Sequence, residues 1–247
     1  MDYDGLRDTY WREQGQRVQK LRSRIVARAV SVPGRTVPGD EDLIIGDGRR
    51  LHLAIMFLDI SGFSGRPSGS FEDQEMLLRI LNLFFSEMIK IAEDYGGTVE
   101  KNTGDGFMAY FENDTSATAS KRALASALTM IAANDYLVKP ILDATPTEEI
   151  RFRISIDYGP VTVARLGAAQ RFNANVAIGA TANFASKMLA LAEPGEIVIG
   201  ELAKEQLPST WQLSYTELIT TETGWIYTAD DRPYSLYRYT GRWSRLI

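Results

Sequence analysis

The sequence of 247 residues contains no cysteine and a single histidine, His52. These absences exclude Cys/His zinc sites, thiol nucleophiles and disulfide frameworks, and they leave little room for histidine-based acid–base chemistry. No apolar run approaches the roughly 18 residues of a transmembrane helix, and the start, MDYDGLRDTY, has no signal-peptide pattern. We therefore expect a cytoplasmic protein whose chemistry is carried by carboxylates, amides and amines.

A strong excess of positive charge is also missing. The formal net charge is −5, which argues against a nucleic-acid polymer as partner. Hydrophobic residues make up 45% of the chain, enough to fill the core of one domain. The sequence thus predicts one domain with an extension.

The extension covers residues 1–41. Tyr10, Val18, Leu21 and Ile25 are spaced for a modest amphipathic helix, and the segment SVPGRTVPGDED that follows has the Pro-Gly pairs of a linker. This helix is basic, which is typical of helices on anionic membranes. Its apolar face lacks the bulk of a membrane binder, so packing against the domain or a partner subunit is the favoured interpretation.

The domain, residues 42–247, mixes helices and strands. Ser70 and Asp73 form a capping-box pattern before a helical stripe that ends at Gly96-Gly97. Further patterns predict a hairpin over 98–111, helices near 115–137 and 180–192, a strand at 151–156, another at EIVIG, and added antiparallel strands in the Trp/Tyr-rich tail 211–247. The predicted fold class is α+β.

Two motifs each place a carboxylate at the end of an apolar run. FLDISGF, residues 57–63, contains Asp59, and KNTGDGFMAYF, residues 101–111, places Asp105 at a hairpin turn. Two carboxylates at one sheet edge suit a divalent metal held jointly by the protein and a nucleoside triphosphate. The alternative is that Asp59 only ends a strand and Asp105 only forms a turn.

These motifs, followed by RISIDYGPVTVARLG and NVAIGATANFASKM, resemble the class III nucleotidyl cyclases, the adenylate and guanylate cyclase superfamily. The resemblance covers roughly residues 51–205. It implies a ferredoxin-like βαββαβ core, two divalent ions (Mg²⁺ or Mn²⁺), and metal binding by Asp59, Asp105 and the Ile60 carbonyl. It also implies a homodimer in which the metal carboxylates of one subunit meet the second half of the site on the other.

The same resemblance implies roles for residues that bind or act on the nucleotide. Asn183 would orient the ribose and α-phosphate, and Lys187 stands where the family has a phosphate-binding arginine, a loss that Arg165 or Arg171 could offset. The expected substrate-binding residues are Lys101, Val176, Phe63 and Arg232, the last standing in for a triphosphate lysine. Asn183 and Lys187 are four residues apart on the predicted helix. The alternative to an active-site role is that they belong to an ordinary polar helix face.

Val176 stands where adenylate cyclases place Asp or Thr to contact the base. Valine neither donates nor accepts a hydrogen bond, unless Asn173 or Asn175 is the true base reader. This departure resembles the pyrimidine cyclases of bacterial antiphage defence (the Pycsar type), which implies a cyclic nucleotide that activates a separate effector. Because Lys101 is a pure donor and suits the uracil O4, UTP and cUMP are expected. The alternatives are a cytidylate or adenylate cyclase, a silent nucleotide-binding regulatory module, and an interaction scaffold.

Overall fold

A computed structural model describes residues 5–27, 48–66, 68–102, 104–143, 149–169, 172–227 and 231–243. Most of the predicted linker, and the predicted start of the domain at Asp42, lie outside these residues. The helices are α1 Asp8–Ala27, α2 Phe71–Asp94, α3 Ala119–Ala133, α4 Lys139–Asp143, α5 Ala180–Met188, α6 Glu201–Glu205 and α7 Ser209–Tyr215. The strands are β1 Gly48–Ile60, β2 Gly97–Asn102, β3 Gly106–Phe111, β4 Phe152–Ala169, β5 Phe172–Ile178, β6 Ile197–Gly200, β7 Thr216–Leu218 and β8 Leu236–Tyr239.

The strands form one sheet of eight, in the order β2-β3-β1-β4-β6-β8-β7, with β5 paired to β4. Only the β4–β6 pair is parallel among these ladders. The first four strands in this order, connected through α2 and α3, have the ferredoxin-like βαββαβ topology. The predicted α+β fold class and core topology are therefore confirmed.

The two faces of the sheet are covered differently. Alternate residues of β1, including Ala54, Met56 and Leu58, are buried in the main core with α2 and α3. The intervening residues, Leu53 and Ile55, belong to a smaller cluster with Ala182 and Ala185 of α5 and Met108 of β3. Helix α5 therefore lies on the face opposite α2 and α3, and by alternation Asp59 is on the α5 face.

Helix α2 begins where its sequence predicts. The Ser70 hydroxyl accepts from the Asp73 N–H at 3.0 Å, and the Asp73 carboxylate accepts from the Ser70 N–H at 3.2 Å, which completes the capping box. Helix α1 packs on α2, with Val18 buried in the main core. Arg17 forms a two-point ion pair with the fully buried Glu87, at 2.9 and 3.1 Å. Helix α1, the described part of the extension, is thus packed on the domain.

Several of the predicted elements differ in their bounds. The predicted strand 151–156 is the start of the longer β4, and the predicted helix 180–192 is α-helical only as far as Met188. The predicted helix 115–137 begins as an α-helix only at Ala119, because the Thr118 hydroxyl caps it by accepting from the Lys121 N–H. The tail contains the expected antiparallel strands β7 and β8, but it begins with a helix, α7. Trp211 and Tyr215, four residues apart, both contact Tyr239, which a helix allows. Across the described ranges, no helix has the length and apolarity needed to cross a membrane.

Candidate active site

Asp59 and Asp105 lie beside each other at one end of two adjacent strands. Asp59 is the penultimate residue of β1 and stands opposite Gly106 of β3. The next residue, Ile60, donates its N–H to the Asp105 carbonyl oxygen at 2.7 Å. The strand and the hairpin turn, 46 positions apart by the numbering, are therefore joined by a backbone hydrogen bond next to the two aspartates.

Two glycines allow this close approach. Gly104 has φ +98°, a backbone conformation that L side chains rarely adopt, and it precedes Asp105 in the turn. At Gly106 a Cβ atom would overlap the Leu58 carbonyl oxygen and would lie 3.2 Å from the Asp59 Cα. A side chain at position 106 would push the hairpin away from β1 and separate the two carboxylates.

A positively charged side chain, that of Arg153, lies on a third strand at this end of the sheet. Arg153 of β4 stands opposite Asp59, and its Nε and Nη2 atoms lie 3.0 and 2.9 Å from Asp59 Oδ2. Both side chains are partly exposed, Asp59 at 22% and Arg153 at 32%. The edge thus combines two carboxylates with a guanidinium that solvent and a ligand can reach.

This set of groups fits a hard divalent cation. Mg²⁺ is commonly bound through one or two carboxylates together with substrate phosphates, and Asp59, Asp105 and main-chain oxygen supply ligands of that type. No group of three or more His, Asp or Glu side chains forms a closed metal cage in the parts of the chain that the structure describes. A metal here would need oxygen atoms from a substrate or water to complete its coordination.

The segment after Asp59 turns sharply beside this edge. Gly62 has φ 70° and precedes a short 3₁₀ helix, Phe63–Gly65. Phe63 is half-buried and packs on the main core, so its ring anchors the turn. The Ser61 hydroxyl is buried and has no hydrogen-bond partner among the described residues. Such an unsatisfied group at the edge of a site is a natural contact for water or a ligand oxygen.

The expected base readers come from β2 and β5, which approach each other across the α5 face. Glu100 is at a β-bulge of β2, next to Lys101, and its Oε2 accepts from the Ala177 N–H at 2.7 Å. Val176, half-buried, precedes Ala177 on β5. This hydrogen bond joins the sequence neighbours of Lys101 and Val176, the two positions expected to contact the base. Arg165, Asn173 and Asn175 lie on β4 and β5, while Arg171 lies outside the described residues.

Helix α5 carries the second set of predicted residues. Asn183 and Lys187 are both exposed on it. The Lys187 Nζ lies 5.9 Å from the centroid of the Trp225 ring. Within the described residues, neither side chain makes a hydrogen bond or ion pair with Asp59, Asp105 or Arg153.

Arg232 belongs to the same side of the molecule as Lys187. Its Nη1 lies 2.6 Å from Glu201 Oε2, and its guanidinium lies 4.3 Å above the Tyr227 ring. The rings of Trp225 and Tyr227, two residues apart, therefore contact the charged groups of Lys187 and Arg232, respectively. Arg232 is thus linked to α6 through Glu201, and to the segment that carries Trp225 through Tyr227.

Sequence reasoning missed Arg153 and Glu100 as members of the site. Both residues lie within or next to the motifs. The contact of Arg153 with Asp59 follows from strand register, and the contact of Glu100 with Ala177 involves a β-bulge, neither of which the motifs reveal. The alternation of Arg151, Phe152 and Arg153 indicates a strand with one polar face, and this was the only available signal.

Comparison with known proteins gives a consistent assignment. Residues 48–223 match the profile of the adenylate and guanylate cyclase catalytic domain. Adenylate cyclase type 10 of Rattus norvegicus is 24% identical over 216 residues, which are 83% of this chain and 13% of that protein. An adenylate cyclase of Anabaena cylindrica is 28% identical over 155 residues, 63% of this chain and 30% of that protein.

A solved structure, the adenylyl cyclase CyaB from P. aeruginosa, superposes with a TM-score of 0.62 at 28% identity, over 81% of this chain and 97% of that one. The chain thus spans only a small part of the length of the curated relatives, but nearly all of the solved domain. Since the family profile covers well over half of the sequence, this chain belongs to the adenylate and guanylate cyclase catalytic domain family.

Proposed function

We propose that this chain is a nucleotidyl cyclase that converts a nucleoside triphosphate to a 3′,5′-cyclic nucleotide and diphosphate. The observation that carries this proposal is that Asp59 of β1, Arg153 of β4 and Asp105, in the turn that precedes β3, meet at one end of adjacent strands. The reaction is intramolecular: the ribose 3′-oxygen attacks the α-phosphorus and diphosphate leaves. Catalysis then consists mainly of positioning and of neutralising charge, and needs no protein nucleophile.

Asp59 and Asp105, with the Ile60 carbonyl, would hold two divalent ions, Mg²⁺ or Mn²⁺. Bound there, such ions would lower the pKa of the 3′-hydroxyl and neutralise the triphosphate. Arg153 contacts Asp59 and therefore lies next to the proposed metal ions. Its guanidinium is a forked donor that suits phosphate oxygens. Arg153 would thus bind the triphosphate once the carboxylates bind metal.

Asn183 and Lys187 would act on the ribose and on the charge that develops at the α-phosphate. Within the described residues, Asn183 and Lys187 make no hydrogen bond or ion pair with Asp59, Asp105 or Arg153, which supports a homodimer whose two sites each combine Asp59 and Asp105 of one subunit with Asn183 and Lys187 of the other. Arg232 would serve as the triphosphate cation of the second half-site, next to Lys187 across the ring pair Trp225 and Tyr227.

For the base, we propose a pyrimidine, with UTP as substrate and cUMP as product. Val176 offers no polar partner, and the neighbouring Glu100 carboxylate is engaged by the Ala177 N–H. Lys101 can donate to the uracil O4. The product would be a second messenger for a separate effector in antiphage defence, as the Pycsar-type resemblance implies. CTP or ATP are the alternative substrates.

A substitution at position 176 tests the base assignment. Val176→Thr keeps the shape of the side chain and adds a donor and acceptor, so we expect the share of purine product to rise by about 10-fold or more. Val163→Thr, in the small cluster beside β5, is the matched control and should leave the product ratio unchanged. A product ratio unmoved by Val176→Thr would remove Val176 from the base pocket.

The competing function is a silent cyclase-like module that binds nucleotide and regulates a partner. Incubation with each of the four nucleoside triphosphates, with Mg²⁺ or Mn²⁺, separates the two. A cyclic product supports the cyclase; triphosphate binding in calorimetry without any cyclic product would favour the module. An interaction scaffold would give neither.

A further inference from the structure

Helix α5 is held from two sides. On the sheet side, the Ser155 hydroxyl of β4 donates to the Ala185 carbonyl at 2.6 Å, and the Thr181 hydroxyl donates to the Pro160 carbonyl at 3.1 Å. On the other side, the Phe184 ring packs on the C-terminal segment, 5.5 Å from the Trp225 centroid and 4.6 Å from the Tyr234 centroid. Helix α5 has only nine residues, so its position depends on these contacts with β4 and with the C-terminal segment.

The C-terminal segment that covers α5 consists of residues 225–227 and 231–234, and we call it the clasp. Its two parts are joined by backbone hydrogen bonds, from Tyr227 N to the Arg232 carbonyl at 2.9 Å and from Tyr234 N to the Trp225 carbonyl at 2.8 Å. Within it the Tyr227 and Tyr234 rings stack at 4.4 Å. The clasp is thus an ordered unit, and Tyr234 is its most buried aromatic residue.

Tyr234 links the clasp to β4 as well as to α5. Its hydroxyl donates to Asp157 Oδ1, and both side chains are buried, Asp157 with 1% of its surface exposed. A carboxylate buried at such a depth is costly unless it is hydrogen-bonded. The hydrogen bonds that reach it are those from the Tyr234 hydroxyl and from the Tyr158 backbone N–H.

We propose that Tyr234 and Asp157 form a positioning pair that sets the clasp, and through Phe184 sets helix α5, so that Asn183 and Lys187 are presented at the reaction centre. Neither residue contacts the substrate. The inference rests on the proposed function for the roles of Asn183 and Lys187, but the mechanical part stands on the packing alone. The clasp also contacts Lys187, a predicted active-site residue, directly through Trp225.

The Asp157 carboxyl of this pair has a pKa in the neutral range. Burial raises the pKa of the Asp157 carboxyl to about 7, against the hydrogen bonds from Tyr234 and the Tyr158 backbone, which lower it. The ionisable groups around it are Tyr234 and Tyr227 of the clasp, then Glu201 of α6 paired with Arg232, and Lys187 on α5 beyond Trp225. The charged acceptor holds Tyr234 more strongly than the neutral acid does, so α5 should be best fixed above neutral pH.

Three variants test the pair. Tyr234→Phe keeps the ring and removes the hydroxyl, while Asp157→Asn keeps an acceptor and removes the titration. Tyr95→Phe is the matched control, because the buried Tyr95 hydroxyl bonds the Thr129 hydroxyl at 2.8 Å in the main core, away from α5. The readouts are hydrogen exchange of a peptide spanning 179–192 without nucleotide, and kcat and KM between pH 6 and 8.

We expect Tyr234→Phe to speed exchange across α5 and to lower kcat by about 10-fold or more, with a smaller change in KM. Asp157→Asn should flatten the pH profile, and Tyr95→Phe should change neither readout. Exchange in α5 unaltered by Tyr234→Phe, or matched by Tyr95→Phe, would overturn the proposal. Should Tyr234→Phe not fold, an Asp157→Asn pH profile like that of the wild type would overturn it. If the wild type makes no cyclic nucleotide, the proposed function fails, while the exchange result still decides the positioning.

Discussion

Arg153 and Asp59 stand opposite each other on two antiparallel strands, and two guanidinium nitrogens contact one carboxylate oxygen at 2.9 and 3.0 Å. The guanidinium balances the charge of Asp59, a predicted metal ligand. In the proposed function, the same guanidinium would bind the phosphates of the nucleotide. We therefore propose that Arg153 both stabilises Asp59 and binds substrate.

The first prediction concerns this cation. Arg153→Ala should lower kcat/KM by roughly 10²-fold, because a charge-assisted contact to the triphosphate is lost. Arg153→Lys should recover only part of the activity, since lysine lacks the planar fork. Steady-state kinetics measure both.

The control is Arg151→Ala, which removes an exposed arginine paired with Glu149 near the start of the same strand. It should change kcat/KM by less than about twofold. Activity of Arg153→Ala close to that of the control would show that the Asp59 contact has no part in substrate binding.

The second prediction concerns shared sites. Asp59→Ala and Asn183→Ala homodimers should each be inactive. After subunit exchange at equal concentrations, mixed dimers would hold one intact site, and the activity should return to about a quarter of the wild-type value.

A mixture of Asp59→Ala with Asp105→Ala is the matched control, because both lesions fall in the same half-site and no mixed dimer regains an intact one. Equal activity of the two mixtures, with exchange verified by mass spectrometry of the dimers, would contradict the shared-site arrangement.

How much the sequence predicts depends on the range of the interactions. The capping box at Ser70 and Asp73 and the turn at Gly104-Asp105 are local, so residue type and spacing determine them. The Arg153–Asp59 contact joins residues 94 positions apart, and the Tyr234–Asp157 contact joins residues 77 apart. Such contacts follow from strand register and tertiary packing, which single-sequence patterns do not encode.

The tail illustrates a competing propensity. Trp and Tyr favour strands, and this composition predicts strands throughout 211–247. Trp211 and Tyr215 instead share one face of α7 against Tyr239, so tertiary burial outweighs the propensity. Strands β7 and β8 follow the prediction, whereas the described residues between them form no named strand and contribute one isolated bridge, Ile226 with Pro233.

The third prediction concerns the packed extension. Arg17→Ala should lower the free energy of unfolding by about 3–5 kcal/mol, because the fully buried Glu87 loses its partner. Burial already raises the pKa of Glu87, and Arg17 is the main group that lowers it. Urea unfolding measures the loss.

Arg12→Ala is the control for this substitution. Arg12 pairs with Asp8 on the exposed side of the same helix, and its loss should cost less than about 1 kcal/mol. Similar values for the two variants would mean that the Arg17–Glu87 ion pair contributes little to the stability of the fold.

The fourth prediction is a pH dependence of stability. The folded pKa of Asp157, about 7, lies above its ordinary value of 3.8, so between these values the native state holds a proton that the unfolded chain has released. This group therefore makes the native state less stable as the pH rises, by up to about 1.4 kcal/mol per pH unit, until the pH passes 7.

The difference in unfolding free energy between wild type and Asp157→Asn, measured in urea at pH 5, 6, 7 and 8, isolates this contribution. The wild type should lose stability relative to the variant up to about pH 7 and then run parallel to it. A difference that is constant over the whole range would show that Asp157 is not protonated in the native state at these pH values.

The central claim is tested most directly by a competition among equimolar ATP, GTP, CTP and UTP with Mg²⁺ or Mn²⁺, with the products read by mass spectrometry. We expect a cyclic pyrimidine nucleotide, chiefly cUMP, together with diphosphate, and the loss of product by about 10²-fold or more in Asp59→Ala and Asp105→Ala. A dominant cAMP or cGMP product would refute the pyrimidine assignment and leave the cyclase standing. No cyclic product from any nucleotide, or undiminished product from both aspartate variants, would contradict the cyclase itself.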